Sequence, residues 1–200
     1  MKYYETIKDE KLKYAVLKAL KRYSYRLSFL PSSMTGHFHP SDEFCRDGLM
    51  RHVEKVCWVL DGICKQLNYS EETRDILLTA AYFHDLGKIK QTKILHRVKI
   101  QKKKYIPETL LIREIRDKDL HPMISAKIAR EFLEECGVEE EKIETILSII
   151  RSHMSHWYPY LPQPSTELEK MFSIADYLVS RKEFQIKKKR RFKLFDFHTN

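Results

Sequence analysis

The feature that most constrains this chain is a largely apolar run, Ile76-Leu77-Leu78-Thr79-Ala80-Ala81-Tyr82-Phe83, followed at once by His84-Asp85-Leu86-Gly87-Lys88. Apolar residues cover nearly every side of that run, so a helix there must be buried all round rather than lie on the surface. An imidazole and a carboxylate then stand side by side at the end of a buried element. Gly87 is expected to supply the left-handed stop that helix C-termini favour. A carboxylate buried beside a histidine is costly unless positive charge balances it, and a metal ion supplies that balance. A capped helix end with an incidental His-Asp pair is the simpler reading, so the decision falls to the rest of the chain.

That chain has 200 residues, enough for one domain with a sizeable core, and only 5 Gly and 7 Pro. Helical apolar periods dominate and predict a mostly α fold. Leu12, Ala15, Val16, Ala19 and Leu20 mark a first helix over 10–30, ended by Pro31. Leu49, Val53, Val56, Leu60, Ile63 and Leu67 form the stripe of a second. Ser70 is an N-cap candidate before Glu71 and Glu72, and opens the helix that reaches His84. Val98 and Ile100 alternate with polar residues, which permits a short β-hairpin around 95–106, while Pro107-Glu108 fits the first turn of a helix through Arg116. His121-Pro122 opens a helix with Ile124, Ile128, Ala129, Phe132 and Leu133 on its buried side, closed by Cys136-Gly137. Ile143, Ile146, Leu147 and Ile150 mark the next. Thr166 and Glu169 form a capping-box candidate for the last, whose stripe is Leu168, Met171, Phe172, Ala175, Leu178 and Val179. This divides the chain into an N-terminal helix and loop (1–44), a main domain (45–183) and a basic C-terminal arm (184–200).

Six residues fit these helices awkwardly. His52 flanks its stripe, His84-Asp85 ends a buried helix, and His121 sits at a helix mouth. His153 faces the core at a C-terminus, and Asp176 lies at the edge of a buried face. One such histidine is ordinary core. Six residues on five helices are better explained by convergence on a common centre. Imidazole and carboxylate ligands without thiolate suit Mn, Fe, Zn or a similar ion. His37 and His39, beside Asp42 and Glu43, fall in a loop expected to be mobile and near the mouth of that centre. Cys45, Cys57, Cys64 and Cys136 show no CxxC spacing and are expected to be reduced thiols in a cytoplasmic protein.

The order His52, His84-Asp85, Asp176 resembles the H…HD…D signature of the HD superfamily of metal-dependent phosphohydrolases, over roughly Leu49 to Lys182. Ala175-Asp176-Tyr177-Leu178 resembles that family's closing motif. The resemblance implies an all-α HD-domain helical bundle holding divalent metal. It makes His52, His84, Asp85 and Asp176 the ligands of a first ion, with Asp85 bridging to a second. His121 and His153 resemble the further histidines of two-metal members, the HD-GYP phosphodiesterases and HD-type 3′–5′ exonucleases. The expected cofactors are therefore two divalent ions, Mn, Fe or similar, with Mg or Ni as alternatives. Those members often carry His-His where this chain has His153-Met154, which makes His156 a candidate for an additional ligand or a substrate contact. The GYP motif is absent, and cyclic-di-GMP hydrolysis is not inferred.

Asp85 and Lys88 are the candidate catalytic residues: a bridging carboxylate, and an ammonium able to neutralise charge developing on phosphoryl oxygens. The balance of 37 basic to 28 acidic residues gives a net charge of +9, with runs at Lys102-Lys103-Lys104 and Lys187-Lys188-Lys189-Arg190-Arg191. That favours an anionic partner. Trp157 and Tyr158 join Lys88 as candidate substrate-binding residues, with Phe38 and Tyr160 as further aromatics able to stack on bases. The expected function is metal-dependent hydrolysis of a phosphoester in nucleotides or single-stranded nucleic-acid ends. The alternative is a non-catalytic nucleotide- or nucleic-acid-binding module with a structural metal. No apolar run approaches bilayer length, and Met1-Lys2-Tyr3-Tyr4-Glu5 lacks a signal-peptide core, so no membrane partner is expected.

Overall fold

A computed structural model of the chain describes residues 2–33, 39–101, 104–114 and 121–183. The principal helices are α1 (Glu10–Leu27), α2 (Gly48–Gln66), α3 (Glu71–Phe83), the single turn α4 (Lys88–Gln91), α5 (His121–Glu135), α6 (Glu140–Ser152) and α7 (Glu167–Val179). Between α4 and α5 runs an antiparallel hairpin of β1 (Thr92–Gln101) and β2 (Lys104–Glu114). The architecture is the expected all-α bundle with one hairpin inserted.

Helix α3 is the axis. Every residue from Asp75 to Phe83 is buried, and the helix packs against α1, α2, α5 and α6. Ser70 caps it by accepting a hydrogen bond from the Thr73 amide, which satisfies one of the first-turn donors that no helical carbonyl reaches. Leu12, Ala15, Val16 and Ala19 of α1 belong to the same continuous core as α3 and α6. The Asp75 carboxylate fastens the start of the chain to α3, accepting from the amides of Lys8 and Asp9 at 2.7 and 2.8 Å.

Local signals set the helix ends. Gly137 takes a left-handed φ of 66° after α5, and the amides of Gly137 and Val138 donate back to Glu134 and Leu133. Both bonds of a Schellman motif are therefore made. Asn68, at φ 55°, closes α2 in the same way. Leu67 then falls beyond the last helical turn and is 58% exposed, not the end of the buried stripe. Leu178 is exposed too, because Ala175, Asp176 and Val179 take the buried face of α7. The capping box of Thr166 and Glu169 forms as its residues predict.

Three expectations need correction. The helix from Pro107 to Arg116 is instead strand as far as Glu114, with Pro107 opposite Val98. Proline is tolerated there because a two-stranded hairpin has only edge strands. Residues 39–43 are docked rather than loose: the Ser32 amide donates to the Glu43 carbonyl at 3.0 Å, and Glu43 is fully buried. His37, Phe38 and the arm beyond Glu183 lie outside the described residues. Third, Gly87 is not a left-handed stop, since its φ of −57° is ordinary right-handed helix.

Gly87 is required for another reason. A Cβ there would lie 2.3 Å from the backbone oxygen of His121 and 2.9 Å from Ser125 Oγ. The missing side chain lets the start of α5 close onto the His84-Asp85 turn, and Ser125 Oγ accepts from the Gly87 amide at 2.8 Å. Helix propensity alone would make Gly87→Ala stabilising, but a contact with backbone cannot relax cheaply. Gly87→Ala is expected to cost about 1–3 kcal/mol, read as a lower urea midpoint at unchanged slope. A variant as stable as the parent would remove the close-approach argument.

Candidate metal centre

Five helices deliver ionisable side chains to a cavity of about 350 Å³. His39, His52, Asp85, Lys88, His121 and Asp176 line it, together with Met154, Trp157, Tyr158 and Arg181. His84 and His153 complete the cluster from below at 0% and 1% exposure.

His84 and His153 occupy the C-cap positions of α3 and α6. Carbonyls of a last helical turn lack intrahelical donors, and each histidine satisfies one. His84 Nδ1 donates to the Ala81 carbonyl at 2.7 Å, and His153 Nδ1 to the Ile150 carbonyl at 2.6 Å. A carbonyl only accepts, so each Nδ1 carries a proton, and in the neutral ring Nε2 is the nitrogen with the lone pair. Both Nε2 atoms are buried without a hydrogen-bond partner in the protein. An unsatisfied buried acceptor is expensive, and a cation is the group that a lone pair beside carboxylates suits.

His52 lies in the second turn of α2, between two acids. Its Nε2 is 2.9 Å from Asp176 Oδ1, and its Nδ1 is 3.3 Å from Glu43 Oε2. Burial opposes a charged imidazole, but Glu43 and Asp176 prevail and raise its pKa to about 10. His153 has the opposite balance: burial, reinforced by repulsion from His84 and His121, lowers it to about 3.

Asp85 joins the two sides. Its Oδ2 lies 2.6 Å from Lys88 Nζ, 3.5 Å from His84 Nε2 and 3.9 Å from His52 Nε2. Its Oδ1 lies 3.1 Å from His121 Nε2 and 3.9 Å from His153 Nε2. Burial would push the Asp85 carboxyl up, but Lys88, His84 and His121 hold it well below the usual carboxylate range. Asp176 is depressed in the same way, with His52 and His84 overcoming its burial. His52, His84 and Asp85 thus form one triad able to hold an ion, and Asp85, His121 and His153 a second; within each, the ligand atoms lie within 4.8 Å of one another. This nitrogen and oxygen donor set, with two orphaned imidazole lone pairs, fits divalent metal.

The HD domain family model matches residues 49–180, well over half of the chain. This chain belongs to the HD domain family. Most of that family are metal-dependent phosphohydrolases, and the His-Asp clusters match that chemistry. No curated protein and no solved structure gives a match. No helix of the described residues is long and apolar enough to cross a membrane.

The HD pair and the four residues expected around it, His52, His121, His153 and Asp176, do come together. Lys88 is beside them, bridging Asp85 Oδ2 and the Ser32 carbonyl, 2.9 Å away. Trp157 and Tyr158 line the cavity. His156 is exposed, and its ring packs on Trp157 and Tyr177 rather than on the cluster. Sequence reasoning missed Glu43 as a partner of His52, and it missed Tyr177 and Arg181. Trp157 and Tyr177 are stacked at 5.9 Å, with the Arg181 guanidinium 4.4 Å from the Tyr177 ring centre. Glu43 gave no periodic signal, because it reaches His52 from a turn. Arg181 follows the last helix, where a lysine- and arginine-rich stretch hides a single cation.

The histidine shifts predict how metal-free protein responds to acid. Folded His153 has a pKa of about 3, against about 6.5 unfolded. The unfolded state therefore binds the extra proton first, and the stability due to neutral His153 is lost as pH falls below about 6.5. The slope is expected to reach about 1 kcal/mol per pH unit. Urea denaturation of chelator-treated protein between pH 6.5 and 5 measures it, above the range in which Asp85 and Asp176 titrate. His153→Asn is expected to reduce the slope, leaving the part due to His39 and His156, which burial also lowers. An unchanged slope in that variant would show that His153 is not the group responsible.

Proposed function

We propose that this HD domain is a metal-dependent phosphohydrolase that cleaves a phosphoester of a nucleotide or of a single-stranded nucleic-acid end. The observation that carries this reading is the division of Asp85: one carboxylate oxygen faces His52 and His84, the other His121 and His153. A carboxylate placed in this way suits two ions sharing one ligand. His52, His84, Asp85 and Asp176 would hold the first, and Asp85, His121 and His153 the second, as Mn, Fe or similar, with Mg or Ni as alternatives. Divalent ions in such a site supply Lewis acidity toward a phosphoryl oxygen and make water acidic enough to ionise near neutral pH.

The chain's own residues supply the rest. His84 and His153, locked by their backbone carbonyls, present Nε2 without rotational freedom, so little ordering is needed when the centre forms. Lys88, tethered to Ser32 and Asp85, sets a positive charge on the cavity wall where phosphoryl oxygens would gather charge. Trp157 and Tyr158 offer aromatic surface for a base, while Arg181, held over Trp157 and Tyr177, adds a second cation. His156 stands on the same aromatic group as a candidate substrate contact. A cavity of about 350 Å³ is at the small end of ligand pockets, suited to one nucleotide unit rather than a duplex. The net charge of +9 favours the anionic substrate. Four free cysteines suit a reducing, cytoplasmic setting.

The test is metal content of the purified protein together with hydrolysis of nucleotides and labelled oligonucleotides in Mn²⁺. Chelation is expected to abolish turnover, and Asp85→Asn to lower it by at least about 100-fold with the fold intact, since even outer partners of metal ligands cost 10–100-fold. A steep fall of affinity with salt would favour a polymer, and a shallow one a mononucleotide. Turnover that survives chelation, or a fully active Asp85→Asn, would refute the reading. Binding without turnover under any divalent ion would favour the non-catalytic module.

A further inference from the structure

His52, His84 and His153 each turn Nε2 toward Asp85 or Asp176, and Nδ1 of each faces a second oxygen. For His84 and His153 the other partner is a carbonyl of their own last helical turn. His52 has no such option, because it lies within α2, where the carbonyls before it are taken by the helix itself. Its Nδ1 instead meets Glu43 Oε2 at 3.3 Å. We propose that Glu43 is the positioning residue of the metal centre, a buried carboxylate that holds the Nδ1 proton on His52 when a metal displaces the one on Nε2, so that Nε2 is the ligand atom.

Glu43 is fixed firmly enough to do this. It is 0% exposed, and its Oε1 takes Lys55 Nζ at 2.8 Å. Oε2 also meets His39 Nδ1 at 2.9 Å and accepts from Ser32 Oγ at 3.2 Å. Its backbone is pinned as well: a Cβ on Gly48 would sit 1.9 Å from the Glu43 carbonyl oxygen. An acid in a short turn would ordinarily remain in water. This one is drawn down to a histidine ring.

A third metal on His39, Glu43 and His52 is the competing explanation, since their ligand atoms also lie within 4.8 Å. Two observations oppose it. The Lys55 ammonium already balances Glu43, and it would repel a second cation beside it. His52 turns Nε2 to Asp176 and Asp85, and a neutral imidazole holding metal on that side would have no second lone pair for an ion beside Glu43. Glu43 therefore acts through His52, and its negative charge makes the imidazole a stronger donor.

The inference rests on the metal-centre reading above, and the experiment separates the two. The 200-residue chain, stripped of metal, is titrated with Mn²⁺ by calorimetry, and the metal-free thermal midpoint is recorded for each variant. Glu43→Gln is expected to weaken Mn²⁺ binding about 10- to 100-fold. Lys55→Met breaks the same buried ion pair, yet is expected to keep affinity within about threefold because His52 retains its carboxylate. The double variant Glu43→Gln/Lys55→Met leaves no orphaned buried charge, since the other partner of Lys55, Asp42, is half exposed, so it guards against a single variant that fails to fold. It is expected to lose affinity as Glu43→Gln does. Wild-type affinity in the double variant, or an equal loss in Lys55→Met, would overturn the inference and reduce Glu43 to a loop anchor. A wild-type chain that takes up no Mn²⁺ would overturn the metal-centre reading itself, and this inference with it.

Discussion

Asp85 carries its charge into a place with almost no water, at 2% exposure, and this burial governs much of the bundle's layout. A carboxylate removed from solvent needs either a proton or several positive and hydrogen-bonding partners. Here it keeps its charge, because Lys88, His84 and His121 outweigh the burial. Those partners come from separate elements, so α3, α4 and α5 must all reach one point. Most of the ligating groups come from helix ends. A helix end can aim a side chain along its axis, and its unsatisfied backbone groups are available to orient that side chain.

Close approach is therefore as important as charge. His121 comes within 3.1 Å of Asp85 because α5 begins directly on Gly87, with Ser125 receiving the Gly87 amide. A side chain at position 87 would move the whole start of α5, and with it one face of the cavity. The apolar packing of α3 has a matching role. Its continuous burial from Asp75 to Phe83 gives His84 a rigid base, whereas a surface helix would let the same pair wander. Dense packing transmits small displacements, so core and centre are mechanically one unit.

Much of this was legible in the sequence, and the reason is periodicity. His52, His153 and Asp176 stand out because each interrupts or borders an apolar stripe whose direction is fixed by neighbours three and four residues away. His84-Asp85 stands out because an all-round apolar run precedes it. What escaped notice lay outside helical periods. Glu43 lies in a 3-10 turn, and nothing in its spacing to His52 encodes a contact. Gly87 was noticed for the wrong reason, since glycine after a helix serves either positive φ or close approach, and only the position of α5 distinguishes them. Pro107 shows the same ambiguity: it fits a first helical turn and an edge strand equally well, and its pairing with Val98 is non-local.

The two kinds of histidine anchoring bear on how such a centre is built. His84 and His153 depend on neutral carbonyls of their own helices, so their orientation comes with secondary structure and cannot be lost without unwinding a helix end. His52 depends on a charged group from a separate turn, held by Lys55, His39 and Ser32. Its orientation is therefore a tertiary property, formed only once residues 39–43 dock on α2. The triad of His52, His84 and Asp85 thus needs residues 39–43 docked as well as α2 and α3 packed, while Asp85, His121 and His153 need only α3, α5 and α6 in place. That difference follows from where each imidazole finds its second partner, and it makes the His52 side the more sensitive to changes far from the cavity.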